Sequence, residues 1–361
     1  MKIAVDAMGG DYAPQAIVEG AYLAAKHHGI KVVLVGDEDG VSKELSKYPT
    51  SKLSIYIHHA PHVVAMHDSP SVVLRRMKET SIKVAIDLAK EGEVSGVVSA
   101  GNSGAAMALA MVIFRKLEGV DRPAIATVHP SLKGSTVLID SGGNVDCRPS
   151  HLVQFALMGD AYAKAMLGRS EPRIGLLSNG EEEGKGNELT REVHEILSET
   201  DLNYVGYVEG RDLNSGKVDV IVCDGFVGNV VLKTSEGLWE TIRAILRWEA
   251  QDNLRAKVAY FLMSRAMRRL EKRMDYSEYG GAPLLGVNGN CVISHGASNG
   301  KAIMNAILLA ANLAKHRLNE HLMEELRDKQ EMLRLGLRKS ERPKEQVTPI
   351  RSSENGWGRK G

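Results

Sequence analysis

The sequence predicts an α/β fold, a mostly parallel β-sheet covered by helices. Two observations carry that prediction. Seven short apolar runs rich in Val and Ile each end in a turn rich in Gly, Asn or Asp, and helical stretches alternate with them. Strand and helix in alternation imply βαβ units around a buried sheet. Composition agrees: 43% of residues are apolar, enough for a real core, but only 5% are aromatic, so Val, Ile, Leu, Ala and Met must fill it.

The runs come in order. KIAVDA leads into MGGD, KVVLVG into DEDG, VSGVVSA into GNSG and STVLID into SGGNVD. RIGLLS leads into NGEEEGKGN, VDVIVCD into GFVGN and CVISH into GASNG. Two segments break the pattern. From about Leu238 to Met274 the chain is mostly helical and rich in bases, and from Lys301 to about Leu335 a second long helical stretch follows. The expected organisation is one α/β catalytic unit over 1–340, read as one body or two lobes, with a helical insertion near 238–275. The tail 341–361, with Pro343, Pro349, Ser352 and Ser353 and few apolar residues, reads as disordered.

Charge and composition exclude several classes. A net charge of +1 provides no global field for nucleic acid. The longest apolar run, 105–114, is half the roughly 20 residues a spanning helix needs. Cys147, Cys223 and Cys291 are too few and too scattered for a disulfide framework, which fits a reducing cytoplasm. No metal motif and no cofactor fingerprint of the GxGxxG type appears.

The chemistry is expected in the glycine-rich turns, because open α/β sheets bind ligands at the carboxyl ends of their strands. In Gly101, Asn102, Ser103 and Gly104, Asn102 or Ser103 can cap a helix whose N-terminus attracts an anion. A capped core helix is the equally weighted bland reading. NGEEEGKGN is one residue short of a P-loop, lacks the Ser or Thr after Lys185, and carries three glutamates that repel a triphosphate. Lys185 sits between two glycines, an odd place for a lysine unless its ammonium serves a ligand; a solvated loop lysine is the alternative. Asn229, in the turn that opens at Gly225, can donate to a developing oxyanion or merely cap a helix. Asn144 and Ser298 complete the polar set of the turns, and His295 reads as structural before it reads as an acid or base.

The stretch from Leu254 to Asp275 differs in kind. Phe261 and Leu262 sit in an apolar run flanked by Arg255, Lys257, Arg265, Arg268 and Arg269. Such a stretch suits an anionic membrane surface, an acidic partner protein or an interface with a second subunit.

Taken in order, IAVDAMGGDYAP, SAGNSGA, DSGGNVDCRP, NGEEEGKGN, VCDGFVGNVVLKTSEG and GGAPLLGVNGNCVISHGASN resemble the phosphate acyltransferase family, the acyl-acyl carrier protein:phosphate transacylases. The resemblance covers about Lys2 to Lys315. It implies a fold similar to isocitrate and isopropylmalate dehydrogenases and to phosphotransacetylase, usually as a homodimer. It implies transfer of a long acyl chain from acyl carrier protein to inorganic phosphate, without cofactor or metal. The acyl phosphate would pass to a membrane glycerol-3-phosphate acyltransferase for phospholipid synthesis, and the enzyme would be cytoplasmic and peripherally membrane-associated. By the same resemblance Lys185 orients phosphate and Asn229 is a polar stabiliser. A short-chain acyl-coenzyme A phosphotransacylase and a non-catalytic carrier-protein or membrane scaffold are the alternatives.

Overall fold

The computed structural model describes residues 1–76, 78–252, 254–274 and 276–329. The elements of the first half are β1 (Lys2–Asp6), α1 (Gln15–His28), β2 (Lys31–Gly36), α2 (Glu38–Leu45), β3 (Ile55–His59), α3 (Pro70–Arg76), α4 (Ser81–Lys90), β4 (Gly96–Ser99), α5 (Ser103–Ile113), β5 (Ala124–Ser131), β6 (Gly134–Ile139) and α6 (Pro149–Leu167). The second half adds β7 (Ile174–Leu177), α7 (Glu188–Ser198), β8 (Tyr204–Val208), β9 (Val220–Val222), α8 (Gly225–Asp252), α9 (Leu254–Met274), β10 (Ala282–Leu285), β11 (Cys291–Ile293), α10 (Gly300–Lys315) and α11 (Leu318–Asp328).

One 11-stranded sheet runs in the order β3-β2-β1-β4-β11-β10-β5-β6-β9-β7-β8. All seven apolar runs read from sequence are strands, and all lie in its parallel parts: β2, β1, β4 and β11 in one block, β6, β9 and β7 in the other. The blocks meet at β10 and β5, which are antiparallel to each other and to their outer neighbours β11 and β6. Three antiparallel steps separate β11 from β6, so the two blocks point their carboxyl ends in opposite directions.

Local chemistry sets where the helices begin. Asp37, Thr80, Asn102, Asn187 and Asn299 each accept a hydrogen bond from a backbone N–H of the first turn, at α2, α4, α5, α7 and α10. At α7 the bond is reciprocal: Thr190 N–H donates to Asn187 Oδ1 at 2.9 Å, and Asn187 N–H donates to Thr190 Oγ1 at 2.9 Å. α6 is buried on every side from Pro149 to Ala163 and packs on β6 and β9 beneath α7 and α11. Its Phe155 and Tyr162 are among the largest fully buried side chains, while aliphatic residues supply most of the remaining core.

Two boundaries differ from the sequence reading. The helical segment expected from about Leu238 starts at Gly225, because α8 grows directly out of the turn after β9. The helix expected from Lys301 to about Leu335 divides at Arg317, which lies in the left-handed region at φ 50°. Asp275 and the segment 330–361, including the tail 341–361, lie outside the described residues.

Candidate active site

The turns gather in two groups. The first joins the carboxyl ends of β1, β4 and β11. Asp6 ends β1 and is buried; Ser99 Oγ donates to its Oδ2 at 2.7 Å, and Gly101 N–H donates to Ser99 Oγ at 3.1 Å. Burial pushes the Asp6 carboxyl up, and hydrogen bonds from Ser81 and Ser99 oppose that. A Cβ on Gly9 would lie 2.5 Å from Asp6 Oδ2 and 2.7 Å from Gly101 N, so only glycine lets the two turns meet. Asp11 N–H donates to Gly296 O at 2.9 Å and ties in the turn after β11.

The second group joins the carboxyl ends of β6 and β9, with that of β7 next to them in the sheet. Asp140 organises it. Its Oδ1 accepts from the N–H groups of Ile125, Gly142 and Gly143 at 3.0, 3.2 and 2.9 Å. Its Oδ2 accepts from Asn144 N at 2.6 Å and Asn144 Nδ2 at 2.8 Å. Burial pushes this carboxyl up as well, against those donors. Gly225 N–H donates to Asn144 O at 2.7 Å, which docks the start of α8 on the knot. A Cβ at Gly228 would lie 1.9 Å from Asp140 O, so the first turn of α8 approaches as closely as a backbone can. Asn229 follows, exposed, with its side chain 3.6 Å from where a Gly142 Cβ would stand.

Lys185 belongs to the loop after β7, next to β9 in the sheet. Asn179 Oδ1 accepts from Gly186 N–H at 2.9 Å and closes the loop, while the Asn187 cap fixes its far end. The Lys185 stem folds over Gly180, its Cγ 2.9 Å from where a Cβ there would stand. The side chain is exposed, and among the described residues no ion pair engages its ammonium. Glu181, the first of the three glutamates, pairs instead with Lys217 at 2.7 Å.

α5 links the groups. It starts at the first, and Met107, one turn on, places its Cε 3.3 Å from where a Gly143 Cβ would stand in the second.

The sequence-predicted residues therefore divide. Gly101, Asn102, Ser103, Gly104 and Ser298 lie with the first group; Asn144, Lys185, Gly225 and Asn229 lie with the second. Of the two capping candidates the cap is Asn102, whose Oδ1 accepts from Ala105 N at 3.0 Å. Its amide group donates to the carbonyls of Ala65, Met66 and Asp68. Asn144 donates to Asp140 and to Pro123 O, and Ser298 shares a buried hydrogen bond with Ser294 at 2.8 Å. These three side chains hold turns in place. Ser103, Lys185 and Asn229 remain exposed. Asp6 and Asp140 were not singled out from sequence; the signal was present in both, an acid that closes an apolar strand just before glycines.

The thiols are poor nucleophiles. Burial, then the charges of Asp140 and Asp224, push Cys147 up to about 12. Burial raises Cys291 to about 12 and Cys223 well above its ordinary value.

Residues 1–321 match the family model described as "Fatty acid synthesis protein". The chain is 55% identical over 326 residues to the phosphate acyltransferase of Geobacter sulfurreducens, covering 90% of this chain and 94% of that one. It is 56% identical over 324 residues to the phosphate acyltransferase of Syntrophotalea carbinolica, covering 90% and 93%. The chain belongs to the phosphate acyltransferase family. It is a phosphate acyltransferase enzyme of fatty acid and phospholipid synthesis. Solved structures agree on the fold alone. A phosphotransacetylase from Streptococcus pyogenes superposes with a TM-score of 0.57 at 15% identity, covering 87% of this chain and 94% of that one. A 4-hydroxythreonine-4-phosphate dehydrogenase from Klebsiella pneumoniae does so with a TM-score of 0.51 at 14% identity, covering 87% and 99%. The expected family and the dehydrogenase- and phosphotransacetylase-like fold both hold.

The seven residues expected to contact membrane, carrier protein or a second subunit are all on α9 and all exposed. α9 turns back along α8, and Arg247 of α8 pairs with Glu271 of α9 at 3.7 Å. Phe261 and Leu262 are 75% and 76% exposed. α8 adds an apolar stripe that the sequence reading passed over: Leu238, Ile242, Ile245 and Trp248, all exposed at helical spacing. Among the described residues no helix is long and apolar enough to cross a membrane.

Proposed function

We propose that this phosphate acyltransferase moves a long-chain fatty acyl group from acyl carrier protein to inorganic phosphate. The observation that carries the reading is Lys185: an exposed ammonium without an ion-pair partner among the described residues, in the strand-end turn of the block that also presents Asn229. A phosphate oxygen attacks the thioester carbonyl and forms the C–O bond. The tetrahedral oxyanion collapses, the C–S bond breaks, and the carrier's thiolate leaves. Lys185 balances the charge of the attacking phosphate, and the Asn229 amide donates to the oxyanion. A thiolate leaves readily, since its thiol has a pKa of about 8.5, so strong acid help is unnecessary.

The α8–α9 hairpin fits the same reading. Its exposed Phe261 and Leu262, beside Arg255, Lys257, Arg265, Arg268 and Arg269, suit an anionic bilayer surface. The stripe on α8 suits a second copy of the chain, giving a homodimer. The enzyme then works from the cytoplasm at the membrane surface and hands acyl phosphate to a glycerol-3-phosphate acyltransferase there.

The test mixes purified protein, palmitoyl-acyl carrier protein and phosphate, and follows acyl phosphate. Formation with kcat/KM far above that on acetyl-coenzyme A is the expected result. No product from folded protein, or a preference for the short coenzyme A thioester, overturns the reading.

A further inference from the structure

A polar cavity of about 530 Å³ opens where α6 begins, lined by Asp121, Arg122, Asp146, Cys147, Arg148, Ser150 and His151. It is distinct from the Lys185 loop but shares a wall with the second group of turns: Cys147 Sγ lies 3.5 Å from Asn144 O, the same carbonyl that accepts from Gly225 N–H. Its size falls in the ordinary range for small-ligand pockets.

Its donors are unspent. Ser150 is 3% exposed and His151 7% exposed, yet both border the cavity. His151 Nδ1 accepts the Arg148 N–H at 3.1 Å. In the neutral ring that leaves the proton on Nε2 as a donor. Burial pushes His151 down, and the nearby cations Arg122, Arg148 and Lys116 add to this against Asp121, which favours the neutral ring. Among the described residues neither the Ser150 hydroxyl nor His151 Nε2 has a hydrogen-bond partner, and neither Arg122 nor Arg148 has an ion pair. Lys116 stands beside them, its Nζ 2.9 Å from Asp121 O. Both donors belong to side chains that line the cavity, and the two guanidiniums in the same lining match the oxygens of a phosphate group.

The other wall selects the rest of the ligand. Asp121 and Asp146 place carboxylates in the same cavity. Bare phosphate has little to give them and is repelled by them. A molecule that joins one phosphate charge to hydroxyl and amide donors satisfies both walls.

We propose that this cavity receives the phosphodiester end of the acyl carrier's phosphopantetheine arm, with Arg122, Arg148, Ser150 and His151 on the phosphate and the two aspartates on the arm's hydroxyl and amide groups. The assignment rests on the carrier-protein reading above and gives that reading a docking point beside the Asn229 turn. Arg122 and Arg148 are specificity residues here; the reacting atoms lie elsewhere.

The experiment uses the full chain and two readouts. Free 4′-phosphopantetheine, pantetheine and inorganic phosphate are titrated into wild type and the Arg122→Gln/Arg148→Gln variant by calorimetry. Wild type should bind phosphopantetheine at least tenfold more tightly than the variant does, and pantetheine without preference between the two proteins. Kinetically, the ratio of kcat/KM on acyl carrier protein to that on a truncated acyl thioester lacking the phosphodiester should fall at least tenfold in the variant. Arg122→Lys should recover part of that loss, and the single variants repeat the test if the double one unfolds. Equal binding of phosphopantetheine to both proteins overturns the proposal. So does a variant whose KM rises for inorganic phosphate while its constants for the carrier hold, since the cavity then serves the co-substrate. A wild type that binds phosphopantetheine through these arginines but makes no acyl phosphate defeats the acyl-transfer reading and leaves the binding site standing.

Discussion

Asp140→Asn is the most informative single perturbation of the site. The carboxylate accepts five hydrogen bonds, three on Oδ1 and two on Oδ2, and every partner is a donor. An asparagine must replace one oxygen with an NH₂ group. Placed at Oδ1, the NH₂ faces three N–H groups. Placed at Oδ2, it faces Asn144 N at 2.6 Å and Asn144 Nδ2 at 2.8 Å. The second choice loses less, but it still strands two buried donors at roughly 1–3 kcal/mol each. The expected destabilisation is about 2–6 kcal/mol, a large share of the roughly 5–15 kcal/mol that holds a folded chain together. At about 2–4 °C per kcal/mol for a large domain, the melting midpoint should fall by on the order of 10 °C in a calorimetric scan. Turnover, measured well below the new midpoint, should also drop at least tenfold, because the knot holds Gly142 against Asn229. A variant that melts within about 2 °C of wild type would refute the idea that an ionised Asp140 ties the turns after β6 and β9 together.

The other predictions are narrower. Lys185→Ala should lower turnover about 10²-fold, the scale of one lost electrostatic contact to the transition state, with stability within about 0.5 kcal/mol of wild type because the side chain is exposed; near-normal kcat/KM removes Lys185 from the mechanism. His129 is buried, bonded through Nε2 to Thr127 Oγ1 at 3.2 Å, and burial lowers its pKa from 6.5 to about 4. Between those values the unfolded chain binds a proton that the folded chain refuses, so stability should rise with pH by up to roughly 3 kcal/mol across that window. Urea midpoints for His129→Gln should lose most of that slope, and an unchanged slope shows that other groups set it. Phe261→Glu combined with Leu262→Glu should cut flotation with anionic vesicles at least tenfold; flotation that persists makes the hairpin an internal or subunit interface.

Much of the fold was legible because buried parallel strands leave a local mark. Seven β-branched runs closed by glycine turns were seven strands. Four strands were missed, β3, β5, β8 and β10, and two of them plainly lack that mark: β3 alternates half-buried Ile with exposed Tyr and His, and β10 is only the four residues APLL. The reversal of strand direction at β10 and β5 is a non-local pairing, so no run of residues announces it. The site was legible by place more than by role. Asn102, Asn144 and Ser298 sit in the right turns, but whether an amide or hydroxyl faces a ligand or fastens a loop depends on partners as far as 37 positions away in the chain. The exposed stripe on α8 was missed because α8 runs without a break from the turn at Gly225, and its first residues read as part of the site.

That division of labour bears on the chemistry. All three thiols are pushed up by burial, so none is poised to carry an acyl group. That accords with a co-substrate phosphate that attacks directly, and in that reading the protein's task is placement. Placement demands rigid turns, and the turns are built rigid. A buried acid closes one strand of each group, β1 in the first and β6 in the second, glycines let neighbouring backbones touch, and most of the conspicuous amides are spent on caps and carbonyls. Among the described residues, what the turns leave for substrate is small: the exposed side chains of Lys185, Asn229 and Ser103. A mutational scan of the turns should therefore separate cleanly. Changes at Asp6, Gly9, Asn102, Asn144 and Gly228 should act chiefly through stability, and changes at Lys185 and Asn229 through rate alone. If Asn144→Ala were to lower kcat severely with the melting midpoint intact, Asn144 would have to face the substrate, and the framework described here would need a different fastener between Asp140 and Pro123.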